Sequence, residues 1–306
     1  MKKKILITGA AGFIGYNILI FLEKKNNVKG LDNFIVNDTK FKKKNYKNII
    51  DCNILDKKKI KKIVEKFDVI IHLAAIQNPK FIKRNPEKTF DINFNGTRNI
   101  VDNLRSNQLF IYFSSNIVYG NIKKYPITEN SSTKPNEIYG ISKLISEKYI
   151  KISSEYNKFK YFIIRNFNTF GPYQGNNSYI PTLINSGLKN DNFEIWNPNK
   201  IRDLQYIDDL CNNINSLIQI SKKKNNIIIN AASGNSYSPN HIAKIIGKEI
   251  KKNFVVKDNQ KKNIKLNVKK IVNIEKFKEI LRGKYKVSNF KKSLQKTVKF
   301  YKLNYD

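Results

Sequence analysis

Apolar and polar residues alternate along the first 165 positions in a pattern that predicts strands and helices in turn. Continuous apolar runs such as Ile5-Leu6-Ile7 are typical of parallel strands that are buried on both faces. Longer segments with one apolar side, such as 56–67 with Asp56 as its N-cap, predict helices. The predicted strands are 5–7, 28–32, 68–72, 109–114 and 161–165, and the predicted helices are 13–25, 56–67, 86–105 and 136–156. This alternation predicts an α/β fold with a doubly wound parallel sheet.

The alternation weakens after residue 165. Pairs such as Gly171-Pro172 and Asn176-Asn177 mark loops rather than regular elements. We therefore expect residues 1–165 to form the main domain and residues 166–306 to form mainly a smaller, C-terminal substrate-binding lobe. A segment near 204–232 is expected to return to the main domain, because its apolar run at 226–230 reads as one more strand of the sheet.

Composition is compatible with this fold and excludes several classes of protein. A chain of 306 residues, 40% of them hydrophobic, can bury a sizeable core. Its two cysteines, Cys52 and Cys211, give no disulfide or metal pattern, which fits a reducing compartment. The lysines at 2–4 precede an apolar stretch as in a secretory signal, but glycines interrupt that stretch. No run approaches the ~20 apolar residues of a membrane span. We therefore expect a cytoplasmic protein with no metal and no membrane insertion.

The formal net charge of +34 raises the alternative of nucleic-acid or membrane-surface binding. Only six of the 58 basic residues are arginines, whose planar side chains are favoured for phosphate contacts. The lysines are spread along the whole chain. A general compositional bias explains this distribution better than a nucleic-acid site, and the resulting positive field would also attract an anionic substrate.

A glycine-rich turn follows the first predicted strand. Gly9, Gly12 and Gly15 lie between that strand and the next helix, where glycine permits a tight turn and lets backbone amides approach a pyrophosphate. Asp32 ends the second predicted strand. A carboxylate there accepts hydrogen bonds from ribose hydroxyls and repels a 2′-phosphate. The combination predicts a dinucleotide site that prefers NAD to NADP.

Three further residues predict the chemistry beside that dinucleotide. Tyr139 and Lys143 are four positions apart on a predicted helix, so they share one face. An ammonium beside a phenol favours the phenolate and lowers its pKa toward working pH. With 16 tyrosines in a lysine-rich chain, such a pair also arises by chance. Ser115 supports a functional role for the Tyr139–Lys143 pair. It ends a predicted strand at the carboxyl edge of the sheet, where ligands bind in such folds. Together these features predict a redox enzyme.

These motifs, in this order, resemble the extended short-chain dehydrogenase/reductase family, in its NAD-dependent nucleotide-sugar epimerase/dehydratase branch (UDP-glucose 4-epimerase-like). The resemblance covers most of the chain and implies a Rossmann fold. Besides the glycine turn it is carried by His72-Leu73-Ala74-Ala75, Asn93-Phe94-Asn95-Gly96-Thr97, Ser114-Ser115-Asn116-Ile117-Val118-Tyr119-Gly120, Arg165-Asn166-Phe167-Asn168 and Arg202-Asp203.

The resemblance implies a role for each of these sites. Tyr139 would be the base and acid at the sugar hydroxyl, and Ser115 would hydrogen-bond the same oxygen. Lys143 would hold the nicotinamide ribose and tune Tyr139. Asn168 and Arg202 would bind the diphosphate of a nucleotide sugar, a task that suits a guanidinium. Cofactor contacts are expected from Gly9, Gly12, Phe13, Ile14, Gly15, Asp32, Asn33, Asn53, Ile54, Leu73, Ala74, Ala75, Gln77, Asn93, Ser114, Tyr139 and Lys143.

Some positions depart from the family pattern. Dehydratases of this branch carry an acidic residue just after the catalytic serine or threonine, and here Asn116 and Ile117 stand there. Dehydration, and the decarboxylation that uses a glutamate at this point, are therefore disfavoured. Gln77 stands where many members have a lysine that contacts the cofactor, and Asn53 replaces the usual aspartate before the adenine pocket.

The leading hypothesis is an NAD-dependent nucleotide-sugar 4-epimerase that oxidises sugar C4 transiently, with Tyr139 as base. One alternative is an NAD(P)H-dependent 4-ketoreductase of a deoxysugar nucleotide, which would use the same three residues. Another, from a different class, is a non-catalytic dinucleotide sensor or a nucleic-acid-associated protein. The resemblance also implies a homodimer, with the helices at 86–105 and 136–156 at its interface.

Overall fold

The computed structural model describes residues 2–35, 46–122, 124–190, 192–196, 198, 201–257 and 271–304. The strands are β1 (Lys4–Thr8), β2 (Asn27–Asp32), β3 (Ile49–Asp51), β4 (Val69–His72), β5 (Leu109–Ser115), β6 (Lys160–Asn166), β7 (Asn168–Phe170), β8 (Asn192–Trp196), β9 (Arg202–Tyr206), β10 (Ile227–Ala231), β11 (Ser236–Tyr237) and β12 (Asn253–Lys257). The helices are α1 (Phe13–Leu22), α2 (Lys57–Val64), α3 (Pro79–Arg84), α4 (Pro86–Phe90), α5 (Gly96–Val101), α6 (Ile138–Asn157), α7 (Tyr179–Lys189), α8 (Ile207–Ile220), α9 (Pro239–Ile250), α10 (Glu275–Leu281) and α11 (Phe290–Leu303).

Seven strands form one parallel sheet in the order β10-β6-β5-β4-β1-β2-β3. The chain builds outward from β1 to β3, then returns and builds in the other direction from β4. The strand order therefore reverses between β1 and β4, and in such sheets ligands bind outside the carboxyl ends of the strands at that point. The predicted doubly wound fold is confirmed. The predicted return of the apolar run near 226–230 is also confirmed, since β10 pairs with β6.

Alternate residues of β1 face two separate cores, one on each side of the sheet. Ile5 and Ile7 pack with α1 and α8, whereas Leu6 packs with residues of α2, α5 and α6. Because both faces are covered by helices, the strand carries consecutive apolar residues from Ile5 to Ile7 instead of alternating with polar ones. The short apolar runs that predicted the strands are thus explained by burial on both sides.

The small lobe holds two further sheets, β11-β9-β7 and β12-β8. Helices α7, α9 and α11 pack against one another around it. Its buried residues, such as Phe193 and Ile246, belong to the same apolar cluster as Ile5 and Ile7 of the main sheet. The lobe is therefore joined to the main sheet by a continuous core. No helix among the described segments is both long enough and apolar enough to cross a membrane.

The segment predicted as one helix at 86–105 is instead three pieces, and this is the main correction to the predicted elements. Helix α4 passes into a π-helical turn, Asp91–Asn95, and then into α5. A π turn is rare and spans a single turn, so the apolar pattern of the segment predicted one continuous helix. It lies directly behind the cleft described next.

Candidate active site

A cleft of about 600 Å³ opens at the carboxyl edge of the main sheet and is closed on its far side by the small lobe. Its walls come from the loops after β1, β2, β4 and β5, from α6, and from α7 and β9 of the lobe. Every site residue predicted from the sequence lines this cleft except Asn53 and Asn93. The lining set is Gly9, Gly12, Phe13, Ile14, Gly15, Asp32, Asn33, Ile54, Leu73, Ala74, Ala75, Gln77, Ser114, Ser115, Tyr139, Lys143, Asn168 and Arg202.

The turn after β1 has no room for a side chain at Gly9 or Gly15. Gly9 has a φ of +71°, and a Cβ there would lie 2.7 Å from the backbone nitrogen of Ala74. A Cβ on Gly15 would lie 2.2 Å from the carbonyl oxygen of Gly9. Helix α1 then begins at Phe13 with no acidic residue in its first turn, so its exposed amides and its dipole favour an anion.

Asp32 fixes this turn from the end of β2. Its Oδ2 accepts a hydrogen bond from the backbone N–H of Ala11 at 2.9 Å, and its Oδ1 accepts one from that of Phe34 at 2.8 Å. A carboxylate oxygen can accept more than one hydrogen bond, so Asp32 keeps acceptor capacity toward the cleft that it lines. The turn, the helix N-terminus and this carboxylate together fit the pyrophosphate and the adenosine ribose of a dinucleotide.

A buried histidine ties the ends of β1 and β4 together. The Thr97 hydroxyl donates to the carbonyl of Asn93 at 2.6 Å, so it must accept from His72 Nε2 at 2.9 Å. His72 Nδ1 is then the acceptor for the Thr8 hydroxyl at 2.6 Å. Burial holds the pKa of His72 well below its ordinary value, which keeps the ring neutral. His72, part of one of the motifs that resemble the family, thus has a structural role. It connects the ends of β1 and β4 and does not line the cleft.

Asn93, expected from the family resemblance to contact the cofactor, supports the wall of the cleft and is not among its lining residues. Its Oδ1 accepts from the Ile76 N–H at 2.7 Å, and its Nδ2 donates to the Ile76 carbonyl at 3.0 Å. The same Nδ2 donates to Ser142 Oγ at 3.2 Å, and Ser142 in turn donates to the carbonyl of Tyr139 at 2.8 Å. The amide is fully occupied with fixing the loop after β4 against α6.

Asn53 also falls outside the cleft lining. Its Oδ1 accepts from the Leu55 N–H at 2.9 Å, which makes a local turn, while the adjacent Ile54 does line the cleft. Ile54 is held by Asn99, whose Nδ2 donates to its carbonyl at 3.0 Å. A Cβ on Gly96 would lie only 2.4 Å from Ile54 Cδ1. Gly96 and Asn99 are thus supporting residues to which sequence reasoning gave no role.

Ser115, Tyr139 and Lys143 are brought together as predicted. Ser115 is the last residue of β5, and its hydroxyl favours ionisation of the Tyr139 phenol. Lys143 Nζ donates to the carbonyl of Phe113 at 2.8 Å and lies 5.8 Å from the centre of the Tyr139 ring. Helix α6 presents Tyr139 and Lys143 one turn apart, on the side facing β5.

The electrostatics of this trio differ from the sequence-based expectation. Burial raises the pKa of Tyr139 to about 12, and Ser115 only partly opposes this. Burial likewise lowers the pKa of Lys143 to about 7, against the charge of Glu147, which raises it. The sequence led us to expect a Tyr139 pKa lowered by Lys143, but desolvation of the phenolate dominates and the pKa is raised.

A buried ion pair supports the trio from behind. Arg165 donates from Nε to Glu147 Oε1 at 3.1 Å and from Nη2 to Oε2 at 2.8 Å. Ser114, next to Ser115, also donates to Glu147. Arg165 further donates to the Tyr119 hydroxyl at 3.1 Å. The fork geometry fixes α6 against the ends of β5 and β6.

The lobe places two predicted substrate residues on the opposite wall. Asn168 lies in β7, and its Nδ2 donates to the carbonyl of Asp203 at 3.2 Å. The guanidinium carbon of Arg202 lies 4.1 Å from the ring centre of Tyr179. Sequence reasoning gave no role to the lining residues at the start of α7, which are Asn177, Ser178, Tyr179 and Ile180. In the sequence, these residues are marked only by the polar run that directly precedes α7. Within the described part of the chain, no three His, Cys, Asp or Glu side chains are grouped as metal ligands.

Comparisons with known proteins agree with this geometry. Residues 5–232 match the model of the NAD dependent epimerase/dehydratase family. A putative UDP-glucose 4-epimerase of Methanocaldococcus jannaschii is 34% identical over 259 residues, 80% of this chain and 82% of that protein. A UDP-N-acetyl-alpha-D-glucosaminuronate decarboxylase of Bacillus cytotoxicus is 31% identical over 260 residues, 80% of each chain.

Among solved structures, the UDP-N-acetylglucosamine 4-epimerase of Methanobrevibacter ruminantium, in complex with UDP-N-acetylmuramic acid, superposes with a TM-score of 0.85. It is 25% identical, and the match covers 99% of this chain and 100% of that one. The fold, the cleft and the family match lead to one assignment. The chain belongs to the NAD dependent epimerase/dehydratase family, of the extended short-chain dehydrogenase/reductase type.

Proposed function

We propose that this protein is an NAD-dependent nucleotide-sugar 4-epimerase with Tyr139 as its catalytic base. The observation that carries the proposal is the pairing of two sites across one cleft. Ser115, Tyr139 and Lys143 lie on the main-sheet wall, and Arg202 and Asn168 lie on the lobe wall. This arrangement suits a ligand with an alcohol at one end and a diphosphate further along.

In this proposal Tyr139 takes the proton of the sugar C4 hydroxyl, and Ser115 holds the same oxygen. Because burial opposes the phenolate, a nearby positive charge is needed, and the Lys143 ammonium supplies it. A bound nicotinamide would supply the redox chemistry by accepting a hydride from C4 and returning it. For epimerisation the 4-keto sugar must present both faces, so the diphosphate held by Arg202 and Asn168 dominates binding.

The composition of the cleft supports epimerisation over elimination. Of the lining residues that the structure describes, Asp32 is the one carboxylate, and it lies at the adenosine end. Asn116 lines the cleft beside Ser115 and cannot protonate a leaving hydroxyl. A dehydratase needs an acid there. We therefore propose isomerisation at C4 as the reaction, although relatives in the family include a decarboxylase.

The test is to incubate the purified protein with UDP-sugars and follow C4 isomers by NMR, with NADH monitored by absorbance. An epimerase forms isomer with no net NADH, and Tyr139→Phe slows the conversion by about 10²–10⁴-fold. Stoichiometric consumption of NADPH or NADH with a 4-keto sugar nucleotide, and no isomerisation, would instead establish the ketoreductase. A protein that binds no nucleotide sugar would contradict both the epimerase and the ketoreductase hypotheses.

We also propose a homodimer. The outer helix face, made of Phe90, Phe94, Tyr149, Ile152 and Tyr156, runs along α4, the π turn and α6. The rings of Phe90 and Phe94 lie 5.6 Å apart and those of Phe94 and Tyr149 5.8 Å apart. Ile152 is 55% exposed and Tyr156 78% exposed. A second copy packing helix to helix would cover this surface.

A further inference from the structure

Tyr179 and Arg202 form a stacked pair on the lobe wall of the cleft. Tyr179 is the first residue of α7 and Arg202 the first of β9, so the contact joins two separate elements. The guanidinium carbon lies 4.1 Å from the ring centre, well within the range of a cation–π interaction. Both side chains line the cleft.

The surroundings of Tyr179 show which part of it faces Arg202. The ring packs against the large apolar core, and its hydroxyl is buried with no hydrogen-bond partner among the described residues. A buried, unpaired hydroxyl costs stability, so the hydroxyl does not explain why tyrosine stands here. The ring itself is fixed in place, and its face is what Arg202 contacts.

We propose that Tyr179 is a positioning residue that holds Arg202 for the diphosphate of the nucleotide sugar. The inference rests on the proposed function. An arginine in solution samples many rotamers and loses that freedom when it binds an anion. Contact with a rigid ring restricts the rotamers of the Arg202 guanidinium before an anion binds, so less of that freedom is lost on binding. Tyr179 thereby strengthens substrate binding without touching the reacting atoms.

The experiment compares Tyr179→Phe with Tyr179→Leu, and with Tyr179→Met as a second ring-free variant that fills more of the space. Phenylalanine keeps the ring and removes only the hydroxyl, so KM and kcat should stay within about twofold of wild type. Loss of the ring should raise KM for the nucleotide sugar by about 5- to 30-fold, the range of a partly buried cation–π contact, with kcat nearly unchanged. The Kd for UDP, measured by calorimetry, should rise by the same factor.

Two controls separate positioning from packing. Tyr173→Leu makes the same change in an aromatic cluster with Tyr16 and Phe300, outside the cleft lining, and should leave the Kd for UDP unchanged. In an Arg202→Lys background, Tyr179→Leu should add little further loss, because the two residues act as one unit.

The inference is overturned if the ring-free variants bind UDP as wild type does. It is also overturned if Tyr179→Phe is impaired as strongly as Tyr179→Leu, since the hydroxyl would then be the active part. A wild-type protein that binds UDP and UDP-sugars while epimerising none of them contradicts only the proposed reaction. Wild-type protein that binds no nucleoside diphosphate contradicts the proposed function and the inference together.

Discussion

At the scale of single residues, burial works against the ionised forms that the proposed chemistry needs. The pKa of Tyr139 is raised to about 12 and that of Lys143 is lowered to about 7, both chiefly by desolvation. Near neutral pH, Tyr139 is therefore a neutral phenol and Lys143 is only partly protonated. In the proposed mechanism the phenolate is favoured when Lys143 carries its proton, so proton transfer depends on the charge state of Lys143.

Replacing Tyr139 by phenylalanine should lower kcat by about 10²–10⁴-fold, since this is the usual contribution of a positioned proton-transfer group. The melting temperature should change little, because the ring stays. Tyr112→Phe is a matched control: it removes another buried tyrosine hydroxyl near Lys143, but Tyr112 does not line the cleft. Equal losses in the two variants would show that Tyr139 has no special chemical role.

Asp203 gives a prediction on pH and stability. Burial raises the pKa of its carboxyl to about 6 from 3.8, although Ser233 donates to Oδ1 through both its N–H and its hydroxyl. The folded protein therefore binds more protons than the unfolded chain between about pH 4 and pH 6. The contribution of this group to the free energy of unfolding must fall as pH rises through that window, by about 3 kcal/mol in total.

Asp203→Asn removes the titrating group while Oδ1 can still accept. Urea unfolding of both proteins at several pH values between 4 and 7 gives the difference in their free energies of unfolding, in which other titrating groups cancel. We expect wild type to lose stability relative to the variant as pH rises through the window. A difference that stays constant across it would mean that Asp203 does not titrate there.

At the scale of elements, the strands and helices that are determined by burial were predictable from the sequence. Elements that depend on specific hydrogen bonds were not. β1, β4 and β5 are apolar at almost every position because both faces are covered, so their runs were visible. The trio was predicted from two features of the sequence. Tyr139 and Lys143 are four residues apart on α6, and Ser115 stands at the end of β5. The π turn, in contrast, contains Asn93, whose side chain bonds to Ile76 in the loop after β4. Such a partner leaves no periodic trace.

The short strands were missed for a related reason. β3 has three residues and β11 two, too few to show any period. β9 carries buried polar residues, Asp203 and Gln205, where a strand pattern would be apolar. The lobe wall of the cleft, including the Tyr179 pair, therefore had to come from the structure. Arg202 and Asn168 were reached through family resemblance and not through pattern.

Asn93→Ala should be strongly destabilising, because it leaves the N–H and carbonyl of Ile76 unpaired in a buried site. We expect a loss of about 3 kcal/mol in the free energy of unfolding, measured by urea denaturation, and weaker NAD binding through the displaced loop. Asn95→Ala is the matched control two residues away, since Asn95 donates to Asp91 on the same turn and holds no wall of the cleft. Similar losses in the two variants would contradict the assigned role of Asn93.

At the scale of the whole molecule, one of the two apolar cores beside the main sheet continues into the lobe, and the cleft lies where sheet and lobe meet. The cofactor side of the cleft is built from the first half of the chain and the proposed substrate side from the second. The continuous core holds both walls, so the distance between the trio and Arg202 is set by packing. The formal net charge of +34 favours the approach of an anionic nucleotide sugar to the protein.

The proposed dimer is the last property at this scale. Exposed Ile152 and Tyr156 continue the aromatic contacts of Phe94 and Tyr149 along α6, so the outer helix face stays open in a monomer. Covering it with the same face of a second copy removes apolar area from water in both chains. A lysine in its centre would place two buried charges in the interface, one from each copy, with no partner provided for either.

Sedimentation of the wild-type protein at micromolar concentration should therefore give a dimer, and Ile152→Lys should give a monomer that keeps its far-UV circular dichroism. Leu303→Lys is the control, because Leu303 is 73% exposed on α11, outside the outer helix face, and carries the same type of change. It should remain dimeric. A monomeric wild type, or an Ile152→Lys variant that still sediments as a dimer, would show that this face is not the interface. Since α6 also carries Tyr139 and Lys143, the monomeric variant should also lose part of its activity, through looser placement of that helix.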